Sequence, residues 1–254
     1  MSGKQVLMLM GLLLPITKAN AEVLWGEFGA AFNLGASINT SDEDNGPFLS
    51  ADGLTVVFGS DRPGGSGNSD IWMATRTSSH EDFDQPVNMG GVINSDALED
   101  RPCLSADGLT LLFTSSRPGG HGGLDIWIST KPDLDSPFGA PVNVGENVNS
   151  VNADSRPCLS SDGLSLYFTS YERPGGYGSR DLWVSTRLSV DDPFGVPSNL
   201  GASVNTSGTE GGACVTPDGL GLIFNSDRPG GQGGNDLWYA SRTSIQDEFG
   251  SECV

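Results

Sequence analysis

Basic residues are scarce in this chain. Lys and Arg together number 13 against 32 Asp and Glu, for a formal charge of −19. Such a surface repels phosphate backbones, which excludes nucleic acid as a partner. Histidine is scarcer still, with only His80 and His121, neither recurring in the pattern described below. Two isolated imidazoles make no His-Glu-x-x-His site, and no Gly-x-Ser-x-Gly elbow or phosphate loop occurs. The four cysteines, Cys103, Cys158, Cys214 and Cys253, lack zinc-ligand spacing. No cofactor or metal is therefore expected. A sustained helical period is missing, and after Ala21 so is any apolar run of transmembrane length. Glycine, by contrast, is abundant: 36 of 254 residues, about twice the usual ~7%. At about 1 kcal/mol per site that argues against a helical bundle. The absence of a three-residue period excludes collagen.

The segment from Met1 to Ala21 reads MSGKQVLMLMGLLLPITKANA. Lys4 opens the segment, an apolar run follows from Val6 to Ile16, and Ala19-Asn20-Ala21 fits a small-x-small cleavage site. This pattern predicts a signal peptide over 1–21, an exported mature chain over 22–254, and a periplasmic or extracellular location.

The rest is one unit written four times. Asp-Gly pairs begin at Asp52, Asp107, Asp162 and Asp218. The first two intervals between them are equal, and the third is longer by a single position. Around them stand GPFLSADGLTVVFGSDRPGG, RPCLSADGLTLLFTSSRPGG, RPCLSSDGLSLYFTSYERPGG and GACVTPDGLGLIFNSDRPGG. Each copy runs on to a Trp, at Trp72, Trp127, Trp183 and Trp238. The third copy carries one extra residue between Ser170 and Arg173. A Phe landmark recurs at Phe28, Phe83, Phe138, Phe194 and Phe249, and an Asn-x-Gly-x-x-(Ile/Val)-Asn segment follows the first four.

Local signals within a copy are all β. Asp-Gly between apolar runs predicts a hairpin with a tight primed turn. Leu54 to Phe58 is apolar on both faces, as a doubly buried strand is. Arg62-Pro63-Gly64-Gly65 interrupts it, and Asp70 to Ala74 reads as a third strand. Phe83 to Asn88 is a short fourth. Short antiparallel strands repeated in this way predict an all-β propeller of four four-stranded blades, with an open solenoid as the alternative. The five Phe landmarks leave two readings of the ends. Either Phe28 to Leu34 completes blade four as a clasp, or residues 245–254 begin a further blade that a partner or second copy would complete.

The unit P-x-L-S-x-D-G-x-x-x-x-F-x-S-x-R-P-G-G-x-G-x-x-D-(I/L)-W resembles the WD-like repeat of TolB-type propellers, closest to the envelope-associated branch with the Arg-Pro-Gly-Gly loop. The likeness spans about 28 to 249. It departs from TolB itself in having four copies rather than six and no N-terminal α/β domain. The resemblance implies an interaction module of the periplasm or cell surface.

An acid stands at one fixed offset before each Asp-Gly: Asp44, Glu99, Asp154 and Glu210. First strands line a propeller axis, so these four are expected to converge on the channel mouth as a ligand-binding rim. Arg101 and Arg156, two positions later, make that rim asymmetric, because Gly46 and Gly212 occupy the place in the other copies. The plainer alternative is a bond within each blade, to an amide or an Arg. The loop arginines Arg62, Arg117, Arg173 and Arg228 are expected to pair with Asp70, Asp125, Asp181 and Asp236 as architecture. The four repeated Trp are expected as inter-blade core. Cys103, Cys158 and Cys214 read as apolar filler, too far apart for a disulfide. Function is then expected to be non-catalytic: an envelope module binding a protein or glycan. The competing class is a carbohydrate-active enzyme, a lyase or glycosidase, using channel carboxylates.

Overall fold

Each Asp-Gly pair closes a hairpin, and the geometry shows why both residues recur. In this computed structural model, which describes residues 31–250, Gly53, Gly108, Gly163 and Gly219 take φ of 72°, 70°, 73° and 73°. The preceding Asp holds the turn from within: Asp52 Oδ1 accepts the Leu54 N–H at 2.9 Å and the Ser50 hydroxyl at 2.6 Å. Only the Gly has positive φ, and the Ser50 N–H donates to the Thr55 carbonyl. The turn is thus wider than the primed two-residue form expected, in which both central residues would need positive φ.

Blade one contains β1 (Asp44–Leu49), β2 (Thr55–Ser60), β3 (Asp70–Thr75) and β4 (Val87–Asn88). A single helical turn, α1 (Gly90–Ile93), leads to blade two: β5 (Glu99–Leu104), β6 (Thr110–Ser115), β7 (Asp125–Thr130) and β8 (Val142–Asn143). Blade three comprises β9 (Asp154–Leu159), β10 (Ser165–Tyr171), β11 (Arg180–Thr186) and β12 (Ser198–Asn199). Blade four comprises β13 (Glu210–Val215), β14 (Gly221–Ser226) and β15 (Asp236–Ser241). Strands pair antiparallel in chain order within every blade, and the whole is a four-bladed β-propeller. All of it belongs to a compact unit that begins at Leu34. Ala31 to Asn33, before that unit, carry no regular element. The expected signal peptide, Phe28 with its clasp, and Cys253 lie outside the described residues.

Three hydrophobic layers hold successive blades face to face. Val57 and Ile71 of blade one pack on Leu104, Leu111, Phe113 and Trp127 of blade two. Cys103, Leu112 and Ile126 pack in turn on Leu166, Phe168 and Trp183 of blade three. Tyr167 and Leu182 then meet Leu222, Phe224 and Trp238 of blade four. The repeated Trp is therefore inter-blade core, and Trp72, at the start of the series, packs with Ile38, Val56 and Phe58. The last face of the series is different: Cys214, Ile223, Leu237 and Tyr239 of blade four are exposed.

The remaining landmarks pin the connections. Asn94, Asn149 and Asn205 are buried, and each uses its side-chain amide as a surrogate peptide group. Asn149 Oδ1 accepts the Ile126 N–H at 2.8 Å while its Nδ2 donates to the Ile126 carbonyl at 2.9 Å. The Phe landmark belongs to the blade that precedes it, seated under a cation: Phe83 under Arg76, Phe138 under Lys131, Phe194 under Arg187 and Phe249 under Arg242. The Gly250 N–H donates to the Ser241 carbonyl as Gly195 does to Thr186. Residues 245–250 consequently belong to blade four rather than to a surplus tail or a new blade. The positions that match a fourth strand there, 253–254, lie outside the described residues.

Candidate functional site

The four repeated acids do not meet at the axis. Glu99, Asp154 and Glu210 are fully buried, and each is held inside its own blade. Glu99 accepts the Ser95 N–H and the Ser95 and Ser115 hydroxyls, all at 2.7 Å, and pairs with Arg117 at 3.1 Å. Glu210 repeats this with Thr206, Ser226 and Arg228, and Asp44 with Thr40, Ser60 and Arg62. Burial alone would raise the Asp44 carboxyl. The Thr40 N–H, Ser60 and Arg62 outweigh it and hold it below the usual carboxylate range. The expected acidic rim is thus corrected to three internal clasps and, in blade three, an Asp154 held by Ser150, because each acid finds its donors before it reaches the channel.

The arginine pairing is corrected too. Arg62, Arg117 and Arg228 take the first-strand acid, not the third-strand Asp, and lie over the Phe and Trp rings of their own blade. Arg173 stacks in the same way on Phe168 and Trp183. The third-strand acids Asp70, Asp125, Asp181 and Asp236 instead cap the Gly-rich loops. Asp125 accepts the His121 N–H at 2.7 Å, and Asp181 accepts that of Tyr177 at 2.9 Å. The second Gly of the loop is required there, since a Cβ on Gly120 would fall 1.6 Å from the Asp125 carboxylate.

Blade three breaks the clasp. The extra residue, Glu172, sits at φ 46°, and Arg173 keeps the carbonyl contact its counterparts make to Ile38, Ile93 and Val204, here to Val148 with Asn147 added, but takes neither Asp154 nor Ser170. Asp154 Oδ1, Ser170 Oγ and Arg173 Nη1 are left buried without a hydrogen-bond partner among the described residues. Deleting Glu172 is expected to restore the clasp and stabilise the fold by about 1–2 kcal/mol, through recovered buried hydrogen bonds and relief of a left-handed residue. Chemical denaturation of the deletion variant measures this, and a loss of stability would count against it.

What does line the axis is the residue two positions beyond each acid. Gly46, Arg101, Arg156 and Gly212, one from each blade, take φ of 56°, 52°, 56° and 62°. Each sits in a β-bulge, where the register of the first hairpin shifts. Bulges re-aim a side chain, and here they deliver one position per blade to a shared cavity of about 250 Å³. A left-handed conformation is uncommon for non-Gly residues and costs on the order of 1 kcal/mol. Gly satisfies it freely in blades one and four. Arg101 and Arg156 occupy it against that preference, which is strain at a concave, functional-looking mouth.

The charges around these arginines are uneven. Burial depresses the Arg156 guanidinium, and the neighbouring cations Arg101 and Arg180 depress it further. A Cβ on Gly212 would stand 3.3 Å from Arg156 Nη1, so Gly212 leaves room for that guanidinium. Arg180 lies 5.7 Å from the Tyr171 ring centre, and its Nε is buried without a partner among the described residues.

Beside this cluster is a carboxyl the repeat pattern did not mark. Asp100 Oδ1 accepts the Arg101 N–H at 2.7 Å, and Oδ2 lies 3.4 Å from Arg101 Nε. In the next two blades the matching N–H groups of Arg156 and Gly212 bond instead to Thr114 and Thr169 hydroxyls of the preceding blade. Blade one has Gly59 in that place, and a Cβ there would fall 2.3 Å from Asp100 Oδ1. The Asp100 carboxyl fills the slot that the missing side chain leaves. Burial raises its pKa, Arg101 and Arg156 draw it back, and Glu43 pushes it up again. Glu43 is exposed and accepts a hydrogen bond from Asn45 at 2.9 Å, while Asn45 Oδ1 is buried without a partner among the described residues. Sequence reasoning missed Asp100, Asn45 and Glu43. The available signal was variation: between the fixed acid and the bulge residue the copies read Asn, Asp, Ser and Gly.

The three first-strand cysteines are free thiols, and the apolar reading holds only in part. Cys103 and Cys158 are buried and Cys214 is exposed. They touch across blades: hydrogen bonding with Cys103 leads in pushing Cys158 up to about 12, and contact with Cys158 leads in raising Cys214. Among the described residues no group of His, Cys, Asp or Glu is placed to hold a metal ion. No helix of the described residues is long and apolar enough to cross a membrane.

No protein-family model and no curated protein matches the chain. Solved structures do match. A protein assigned as TolB from Agrobacterium tumefaciens aligns at 17% identity and TM-score 0.53, over 78% of this chain and 61% of its own. An exo-1,5-α-L-arabinanase from a bovine ruminal metagenomic library aligns at 15% identity and TM-score 0.53, over 85% of this chain and 80% of its own. The catalytic domain of an α-L-arabinofuranosidase from Coprinopsis cinerea aligns at 13% identity and TM-score 0.51, over 81% and 66%. The chain thus spans about three fifths of the TolB protein and about two thirds of the arabinofuranosidase domain. Glycosidases recur among the similar structures, and this overturns the expectation of a non-catalytic module. That expectation rested on the resemblance to envelope propellers and on the missing catalytic constellation, whereas glycoside hydrolysis needs only two carboxylates. At these identities the likeness shows the fold: a β-propeller shared with TolB-like proteins and with glycosidases.

Proposed function

We propose that the protein is a carbohydrate-active enzyme that hydrolyses a glycosidic bond at the axial mouth. Asp100 is the general acid and Glu43 the second carboxylate. The observation that carries this reading is the Asp100 carboxyl, buried beside the axis and raised in pKa by that burial. A carboxyl that keeps its proton nearer neutrality is what protonation of a leaving oxygen requires. Glu43 is exposed on the neighbouring blade, hydrogen-bonded by Asn45 and close enough for its charge to act on Asp100. In the reaction Asp100 gives its proton to the glycosidic oxygen, the bond to the anomeric carbon breaks, and water adds there while Glu43 takes the water's proton. The names of the similar structures, an arabinanase and an arabinofuranosidase, support a glycan as substrate. The N-terminal segment and the resemblance to envelope propellers support export and work outside the cytoplasm.

The test is a panel of aryl glycosides, including arabinofuranosides and xylosides, incubated with the purified chain. Release of the aryl alcohol is expected on at least one, and is expected to be lost in both Asp100→Asn and Glu43→Gln. No release across the panel, or release unchanged in both variants, would remove the proposal.

A further inference from the structure

We infer that the axial mouth selects a glycan bearing a carboxylate, held by Arg156 and Arg101. This rests on the reading of the mouth as a glycan site and names the class of glycan it takes. The first support is positional. One residue per blade enters the cavity through the same bulge, and in two blades it is Gly. The fold therefore needs nothing but a left-handed residue there. Two arginines in left-handed backbone, close enough to repel one another, are retained against both preferences. Stability does not explain them, which leaves what they can bind.

The second support is the state of the guanidiniums. Arg101 is partly occupied by Asp100 through Nε alone. Among the described residues Arg156 forms no ion pair, and its guanidinium lies beside Gly212, where there is no Cβ to obstruct it. Arg180, outside the cavity, adds a third cation close enough to act on Arg156. A planar anion with two oxygens matches such a fork better than a point charge. The third support is the remainder of the surface. A chain of net charge −19 repels densely charged polymers at long range, so the cationic mouth suits a sugar with a single carboxylate rather than a sulfated or phosphorylated chain.

The experiment is calorimetric titration of the full chain carrying Glu43→Gln, which prevents turnover and leaves the Asp100 contact with Arg101 in place. The probes are a trisaccharide of two galactose units and one galacturonate, and the neutral galactose trisaccharide, each also titrated in the presence of inorganic phosphate or of free galacturonate. The acidic probe is expected to bind about tenfold or more tightly than the neutral one, as charge-assisted pairing predicts. The preference is expected to disappear in Arg156→Gly and to shrink in Arg101→Gly. Because Gly occupies this position in blades one and four, both variants are expected to fold, Arg156→Gly with a melting temperature equal to or above the parent's and Arg101→Gly with a lower one, since Asp100 loses its counter-charge. Equal binding of the two probes, failure of the acidic probe to bind, or a preference surviving in the double Gly variant would each overturn the inference. Displacement by phosphate as effective as by free galacturonate would overturn carboxylate selection. Binding is read without turnover, so a chain that holds the acidic probe but cleaves no glycoside keeps this site and loses only the hydrolytic reading.

Discussion

Replacing Glu99 by Ala is expected to destabilise the protein by about 3–5 kcal/mol, the range for removing one partner of a buried ion pair. Glu99 is fully buried and satisfies three donors besides Arg117. Without it the Arg117 guanidinium, only 12% exposed, keeps its burial and loses its counter-charge. The hydroxyls of Ser95 and Ser115 lose their acceptor, and an unpaired buried donor costs about 1–3 kcal/mol. In a chain of this size each kcal/mol lowers the melting temperature by roughly 2–4 °C. Thermal unfolding followed by circular dichroism reads the shift. Glu99→Gln is expected to be milder, since it keeps one acceptor oxygen and the shape. Asp44→Ala is expected to cost less than Glu99→Ala, because Asp44 retains 11% exposure and its Thr40 partner is at the surface. A loss below about 1 kcal/mol for Glu99→Ala would mean that the clasp adds little beyond what a surface pair does.

The clasp also separates what the sequence disclosed from what it concealed. Blade number, strand order and the Trp layer follow from the even recurrence of the Asp-Gly pairs, because each copy must bury the same face against its neighbour. The turn Asp could be read because its role is local, completed within two positions on either side. The partner of Arg117 could not. Asp125 is the nearer acid along the chain and Glu99 the more distant, with a whole hairpin between it and Arg117. Only strand pairing decides that Ser115 faces Glu99. Repetition then misled in a particular way. It made the recurring acids look like a site, although recurrence in every blade marks what the fold needs. The candidate site is built from the positions where the copies disagree: Arg against Gly in the bulge, Asp100 against Asn45, Ser155 and Gly211 beside it. The void that admits Asp100 is itself a disagreement, Gly59 where the next two blades have Thr114 and Thr169.

Asp100→Asn is expected to lose activity and gain stability, and the combination is the informative result. A positioned general acid contributes about 10²–10⁴-fold in rate, so hydrolysis is expected to fall by that order. Asn keeps an acceptor for the Arg101 N–H and fits the space above Gly59. What it removes is a carboxylate whose burial raises its pKa above the unfolded value of about 3.9. A group raised in this way helps the fold fully only below the unfolded pKa, and that help is lost as pH rises through the folded pKa. Above the unfolded pKa the raised Asp100 carboxyl is therefore a liability, and at neutral pH the variant is expected to be the more stable protein in urea. The difference is expected to close near pH ~4 and below, where the parent's carboxyl is also neutral in both states. The turn residues Asp52, Asp107, Asp162 and Asp218 work with the opposite sign. Their pKa values are lowered by Ser or Thr hydroxyls and a backbone N–H, so their contribution is present above the unfolded pKa and lost as acid protonates them. They are common to parent and variant and cancel in the comparison. A variant that lost stability in step with activity would identify Asp100 as part of the scaffold. A gain in stability at neutral pH that vanished in acid, with hydrolysis gone, is the behaviour of a residue kept for chemistry at the expense of the fold.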